Sequence, residues 1–136
     1  MKFLREGKQY HLLLQDYYFT RFEYAGDISI QFQPAEPQGW TVKLILTSHF
    51  SLTREREDYQ VEDLKGFHQL THLWQDQVES LKASREGVLQ LKTRKGAVLE
   101  VEDGPFENWD FWVYREQRKQ EPRLHLIGGM GRLVIL

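Results

Sequence analysis

Two histidines at helical spacing are the first residues of this chain that could do chemistry. His68 and His72 stand four positions apart, so on one helix their imidazoles could share a metal ion, with Asp76 as a third ligand if the helix continued. These positions lie away from the apolar stripe of the same helix. Nothing nearby in the sequence offers the supporting hydrogen bonds that a catalytic metal needs. We therefore expect a solvated helix face and predict no metal site and no cofactor.

Carboxylates are concentrated near position 105. The set consists of Glu100, Glu102, Asp103, Glu107 and Asp110. Paired carboxylates do acid–base chemistry when burial separates their pKa values, but on an exposed strand they only add charge. The pattern favours a third use, an acidic surface that binds a basic partner protein.

Two other motif classes give no catalytic residue. The segment Gly128-Gly129-Met130-Gly131 resembles a phosphate-binding loop in composition, but a strand-like run follows it where such a loop needs a helix N-terminus. We interpret it as a hairpin turn. The sequence has no Gly-x-Ser-x-Gly motif, and none of its five histidines has a recognisable Ser and Asp arrangement around it.

Large aromatic residues occupy adjacent positions of one predicted strand. Trp109 and Phe111 alternate with Trp112 and Tyr114, so the two faces of that strand both carry rings. One face belongs to the core, and the other is covered by a second sheet or forms a binding surface. A wall built from Trp40, Trp109 and Trp112 could hold a small apolar ligand.

Composition limits the classes of protein that this chain can be. Its 136 residues fit one domain, residues 1–136. The net charge of -2 lacks the basic excess of a general nucleic-acid binder, and without cysteine there is no disulfide or thiolate site. The N-terminus is charged before any signal-peptide core develops, and no apolar run approaches the roughly 20 residues of a membrane span. We expect a single cytoplasmic domain with no nucleic-acid or membrane partner.

Glycine-marked turns define most of the predicted strands. A loop at 25–27 sets Tyr24 opposite Ile28. Loops at 85–87 and 94–96, each with glycine in the left-handed third position, set Leu81, Leu91 and Leu99 side by side. The two loops agree on one apolar face, which predicts a meander from about Val78 to Glu102.

A short helix precedes this meander. Leu64, Phe67, Leu70 and Trp74 recur at helical spacing, with Asp63 as N-cap and an end near Gln75.

The remaining segments complete a mainly β fold. Trp40–Leu46 alternates strictly, and because the parity resumes at Phe50, we expect one long strand or a bulge in it at 48–49. The charged runs 54–58 and 115–121 are predicted loops. Residues 133–136 are apolar at every position, so we expect this last strand inside the sheet or at a subunit contact. With roughly eight strands and one short helix, the sequence predicts an antiparallel barrel or sandwich.

The C-terminal half, about Leu70 to Leu136, resembles an uncharacterised bacterial family of small mainly β domains. The shared positions are Leu70-x-x-Leu73, Val78, Gly87-Val88-Leu89-x-Leu91, Gly96-x-x-Leu99-x-Val101, Phe106-Glu107-x-Trp109 and Gly128-Gly129. They are mostly apolar and turn positions, so the resemblance implies a fold and carries no catalytic residue over. Some small bacterial domains of this general type look like immunity proteins paired with toxins.

Together these patterns favour a non-catalytic binding domain with a protein partner, using the acidic residues around Glu100 and Asp110. The alternative is a barrel or sandwich that holds a small apolar ligand against its tryptophans. A small hydrolase or metal enzyme ranks third. The sequence does not specify the oligomeric state.

Overall fold

The computed structural model describes residues 2–14, 17–34, 40–47, 50–61, 64–102 and 107–136. They form two antiparallel sheets, of seven and six strands, and one short α-helix. Neither sheet closes into a barrel, so of the two predicted architectures the molecule adopts the one that resembles a sandwich. The predicted mainly β class is confirmed.

The described residues form thirteen strands, where about eight were predicted. In chain order they are β1 (Lys2–Glu6), β2 (Gln9–Leu13), β3 (Tyr17–Ala25), β4 (Asp27–Pro34), β5 (Trp40–Leu46), β6 (Phe50–Arg54), β7 (Glu57–Val61), β8 (Val78–Ser84), β9 (Leu89–Thr93), β10 (Val98–Val101), β11 (Glu107–Arg115), β12 (Leu124–Gly129) and β13 (Arg132–Ile135). The seven-stranded sheet has the order β1-β2-β8-β9-β10-β6-β7, and the six-stranded sheet has the order β13-β12-β11-β5-β4-β3.

The glycine-marked hairpins have the predicted registers. Leu81 lies opposite Leu91, which lies opposite Leu99, and all three side chains are buried. Gly87 and Gly96 have φ values of 94° and 90°, the left-handed region that the turns require. The earlier hairpin pairs Tyr24 with Ile28, also as predicted.

Two expectations about the middle of the chain are wrong. Residues 40–54 are not one strand, because β5 belongs to the six-stranded sheet and β6 to the seven-stranded sheet. The charged run 54–58 is not a loop but a tight hairpin between β6 and β7, with Glu55 and Arg56 at positive φ. The predicted bulge position, residues 48–49, lies outside the described residues.

The chain crosses from one sheet to the other three times, at β2–β3, β5–β6 and β10–β11, and the last two crossings are neighbours. β5 pairs with β11 in the six-stranded sheet, while β6 pairs with β10 in the seven-stranded sheet. The inward faces of both sheets enclose one continuous apolar core, whose largest fully buried side chains include Trp109, Phe32, Phe50 and Phe111.

The last strand does not lie inside a sheet. β13 forms the edge of the six-stranded sheet, and Ile135 and Leu136 are 44% and 70% exposed. The expectation of an interior strand is therefore wrong. Part of this edge is still covered, because the backbone N–H of Leu133 donates a hydrogen bond to the carbonyl of Arg85 at 2.9 Å. A subunit contact at this strand stays a prediction.

The helix is short, as predicted. α1 (Leu64–Leu70) continues as a 3-10 turn over Thr71–Gln75 and then stops before β8. The proposed N-cap, Asp63, lies outside the described residues. Within the ranges given above, no helix is long and apolar enough to cross a membrane.

Candidate binding surfaces

The histidine pair on the helical segment faces solvent, as expected. The rings of His68 and His72 are 5.5 Å apart between centroids, and both residues are exposed. Asp76 is 4% exposed, and its Oδ1 accepts hydrogen bonds from the backbone N–H groups of Gln77 (2.8 Å) and Lys95 (3.1 Å). Among the residues that the structure describes, no three His, Cys, Asp or Glu side chains could hold a metal ion together.

The predicted acidic residues do not form one described surface. Glu100 lies on the outer face of the seven-stranded sheet, where its Oε2 accepts a hydrogen bond from Gln90 at 3.0 Å. Asp110 lies on the outer face of the six-stranded sheet, and Glu102 is exposed just after β10. Asp103 and the side chain of Glu107 lie outside the described residues.

The three tryptophans of the predicted ligand wall are also separated. Trp109 is fully buried between the sheets, whereas Trp112 projects from the opposite face of β11. Trp40 is at the other end of the β5–β11 pair, opposite Arg115. The guanidinium groups of Arg115 and Arg123 lie 4.6 and 5.4 Å from the Trp40 ring, which is a cation–π arrangement.

Trp112 instead belongs to an ordered group on the outer face of the six-stranded sheet. Register places Trp112 beside His125 of β12, and the two rings stack with centroids 3.4 Å apart. His125 Nε2 is 3.1 Å from Asp110 Oδ1, and both side chains are largely buried. The sequence analysis did not identify His125, because its position beside Trp112 follows from strand pairing and from no local motif.

A cavity of about 250 Å³ opens beside this group. Its lining residues are Lys43, Ile45, Trp112, Tyr114 and Lys119. Two lysines and two aromatic residues therefore line one small space. A second, more polar groove of about 160 Å³ lies on the outer face of the other sheet and includes Lys82 and Glu100.

An aromatic ridge lies where the edge strand β3 meets the helical segment. We define the ridge as Phe22, Tyr24, Phe67 and Trp74. The Phe22 and Trp74 centroids are 6.3 Å apart, and those of Tyr24 and Phe67 are 5.6 Å apart. Trp74 is 55% exposed and Tyr24 is 42% exposed. Sequence reasoning placed Trp74 on the buried stripe of the helix and did not predict this surface.

The chain matches no family model, no curated protein and no solved structure. The resemblance of its C-terminal half to a bacterial domain family stays a prediction. Inference about function therefore starts from the surfaces described above.

Proposed function

We propose that this protein is a non-catalytic binding domain whose aromatic ridge docks onto a partner protein. The observation that carries the proposal is Trp74, which is more than half exposed and in contact with another ridge ring. Trp and Tyr are enriched among the few residues that dominate protein–protein binding energy. Exposed apolar residues scattered singly over a surface are ordinary, whereas a contiguous exposed group marks an interaction site.

The ridge is held rigidly by the core beneath it. Phe22 stacks on Phe19 at 5.8 Å, and Phe19 is 3% exposed and meets Phe32 edge-on. Phe67 is partly buried against the same core. Since Phe22 and Phe67 are already packed on the core, docking does not have to order these two rings, and this lowers the entropic cost of association.

The polar surroundings of the ridge fit the usual anatomy of an interface. His68 and His72 are exposed on the same helical segment, and Gln69 accepts a hydrogen bond from Arg54 at 3.0 Å. An apolar centre with a polar margin is the arrangement found at specific interfaces. The partner that fits is a folded protein with an apolar pocket for the Trp74 indole. The ridge replaces the acidic stretch as the proposed contact, because Glu100 and Asp110 lie on the outer faces of different sheets.

The test compares Trp74→Ala with Leu4→Ala in binding to a partner found by co-purification, beginning with the products of adjacent reading frames. Leu4 is 42% exposed on β1 at an edge of the other sheet, so it controls for loss of an exposed apolar side chain. We expect Trp74→Ala to weaken binding by about 2 kcal/mol or more, roughly 30-fold, in calorimetric titration. Leu4→Ala should bind like the parent. Equal affinities of the parent and Trp74→Ala would disprove the proposed surface.

A further inference from the structure

We propose that the polar groove on the outer face of the seven-stranded sheet is a binding site for a small free α-amino acid in its zwitterionic form. The groove has a volume of about 160 Å³. Its lining residues are Gln9, Lys82, Ser84, Val88, Gln90 and Glu100. It lies over the strands β2, β8, β9 and β10, whereas the aromatic ridge lies at the β3 edge of the other sheet, so the two sites are independent.

Two opposite charges line this groove, and among the described residues they make no ion pair. Register places Lys82 beside Gln90 and Gln90 beside Glu100, on three adjacent strands. Since neighbouring strands lie about 4.8 Å apart, the backbones of Lys82 and Glu100 are separated by roughly 10 Å. Over the described ranges, the Lys82 side chain has no hydrogen bond or ion pair, although it is partly buried. A ligand between these strands therefore needs a negative charge for Lys82 and a positive charge for Glu100.

The neutral side chains extend this polarity. Gln9 lies opposite Ser84 in the β2–β8 register, and Ser84 Oγ accepts the backbone N–H of Val88 at 3.1 Å, which leaves the Ser84 O–H to donate. On the other side of the groove, Gln90 Nε2 donates to Glu100 Oε2 at 3.0 Å. The Gln90 carbonyl oxygen and Glu100 Oε1 are thereby left to accept. The ligand carboxylate thus lies over β8, and its ammonium group lies over β9 and β10.

The size and the lining of the groove restrict the ligand further. A volume of about 160 Å³ holds on the order of five water molecules at liquid density, which fits an amino acid as small as alanine. The described lining residues include no aromatic ring on which a nucleobase would stack. A simple anion would be repelled by Glu100 and a simple cation by Lys82, so a ligand that carries both charges fits best.

The experiment follows the side-chain amide resonances of Gln90 by two-dimensional NMR, assigned with Gln90→Ala, during titration with L-alanine. We expect a saturable shift with a dissociation constant of about 1–10 mM. Alaninamide keeps the ammonium group and lacks the carboxylate, whereas lactate keeps the carboxylate and lacks the ammonium group. Each of these two compounds should bind at least about tenfold more weakly than alanine, because each leaves one charge of the groove without a partner.

Charge variants distinguish the two ends of the groove. Lys82→Gln should weaken alanine binding by about tenfold and remove most of the preference for alanine over alaninamide. Glu100→Gln should weaken alanine binding similarly and remove most of the preference for alanine over lactate. Lys43→Gln, on the outer face of the other sheet, is the matched control and should leave alanine binding unchanged.

Two results would contradict this site. Equal binding of alanine, alaninamide and lactate would overturn the zwitterion specificity, and Gln90 resonances that do not move at alanine concentrations well above the expected range would overturn the site itself. Either result leaves the partner-binding proposal untouched, because that proposal depends on Trp74.

Discussion

One tryptophan contacts two glycines from different sheets, one in the turn after β8 and one in β12. Trp109 is fully buried, and its Nε1–H donates to the carbonyl oxygen of Gly87 at 2.8 Å. A buried indole N–H needs such an acceptor, since leaving it unpaired costs stability. On the other side, a Cβ at Gly128 would overlap the Trp109 ring. Gly87, Trp109 and Gly128 thus form a contact that ties the turn after β8 to the six-stranded sheet.

Close backbone neighbours of Gly87 distinguish two turn glycines that the sequence treats alike. Gly87 and Gly96 both have positive φ, so alanine at either position costs about 1–2 kcal/mol in backbone strain. At Gly87 an added Cβ would also lie 2.6 Å from the carbonyl oxygen of Arg132 and 2.7 Å from the backbone nitrogen of Gly129, whereas at Gly96 it meets open space. We expect Gly87→Ala to lose roughly 3 kcal/mol or more and Gly96→Ala about 1–2 kcal/mol in urea denaturation. Equal losses would mean that β13 yields easily at this contact.

At the scale of the elements, the hairpin between β6 and β7 has unusual turn chemistry. Its two central residues, Glu55 and Arg56, have φ values of 53° and 66°. Positive φ at both positions is the requirement of a type I′ turn, for which Asn-Gly is the preferred sequence. Two charged residues with a Cβ therefore hold a conformation that strains them.

Replacing Glu55-Arg56 by Asn-Gly should stabilise the protein. Relief of strain exceeds the extra flexibility that glycine gives the unfolded chain, so we expect a gain of about 1 kcal/mol in the free energy of unfolding. Thermal and urea denaturation of the double variant measure this gain. As a control, the reverse-order pair Gly-Asn at the same positions should gain less, because glycine has no special advantage at the first position of this turn. A double variant that is less stable than the parent would show that Glu55 or Arg56 makes a compensating contact.

The same turns explain how much of the fold could be predicted from the sequence. Registers around Gly26, Gly87 and Gly96 were predictable, because glycine marks the turn and the flanking leucines and isoleucines alternate. The β6–β7 hairpin could not be predicted, since the charged pair Glu55-Arg56 is typical of a solvated loop. β1 was missed because it turns Leu4 to solvent, so no alternation marks a buried face.

The candidate sites were less predictable than the strands. Lys43 and Trp112 become neighbours only when β5 pairs with β11, and Phe22 meets Trp74 only when the helical segment packs on β3. The sequence predicted Trp112 and Asp110 as site residues, but it grouped each of them with residues that lie elsewhere in the structure. Pairing between distant strands is set by the whole core, and no local spacing encodes it.

At the scale of the whole molecule, the two sheets are connected at several places. β5–β6 and β10–β11 carry the chain from one sheet to the other as neighbouring crossings. Elsewhere Leu133 donates to the Arg85 carbonyl, and an isolated bridge pairs Tyr18 of β3 with Gln77 just before β8. Each sheet therefore buries its apolar face only by keeping the other in place.

This mutual burial predicts that the protein unfolds in one cooperative step. Phe32 of β4 and Leu91 of β9 lie in different sheets, and both are 0% exposed. We expect Phe32→Ala and Leu91→Ala to lower the free energy of unfolding by about 2–5 kcal/mol each. In each variant, far-UV circular dichroism and tryptophan fluorescence should report a single coincident transition. If the sheets were independent, each substitution would shift only the transition of its own sheet and the two probes would separate. Because the core is continuous across both inner faces, loss of packing in either sheet should instead destabilise the whole.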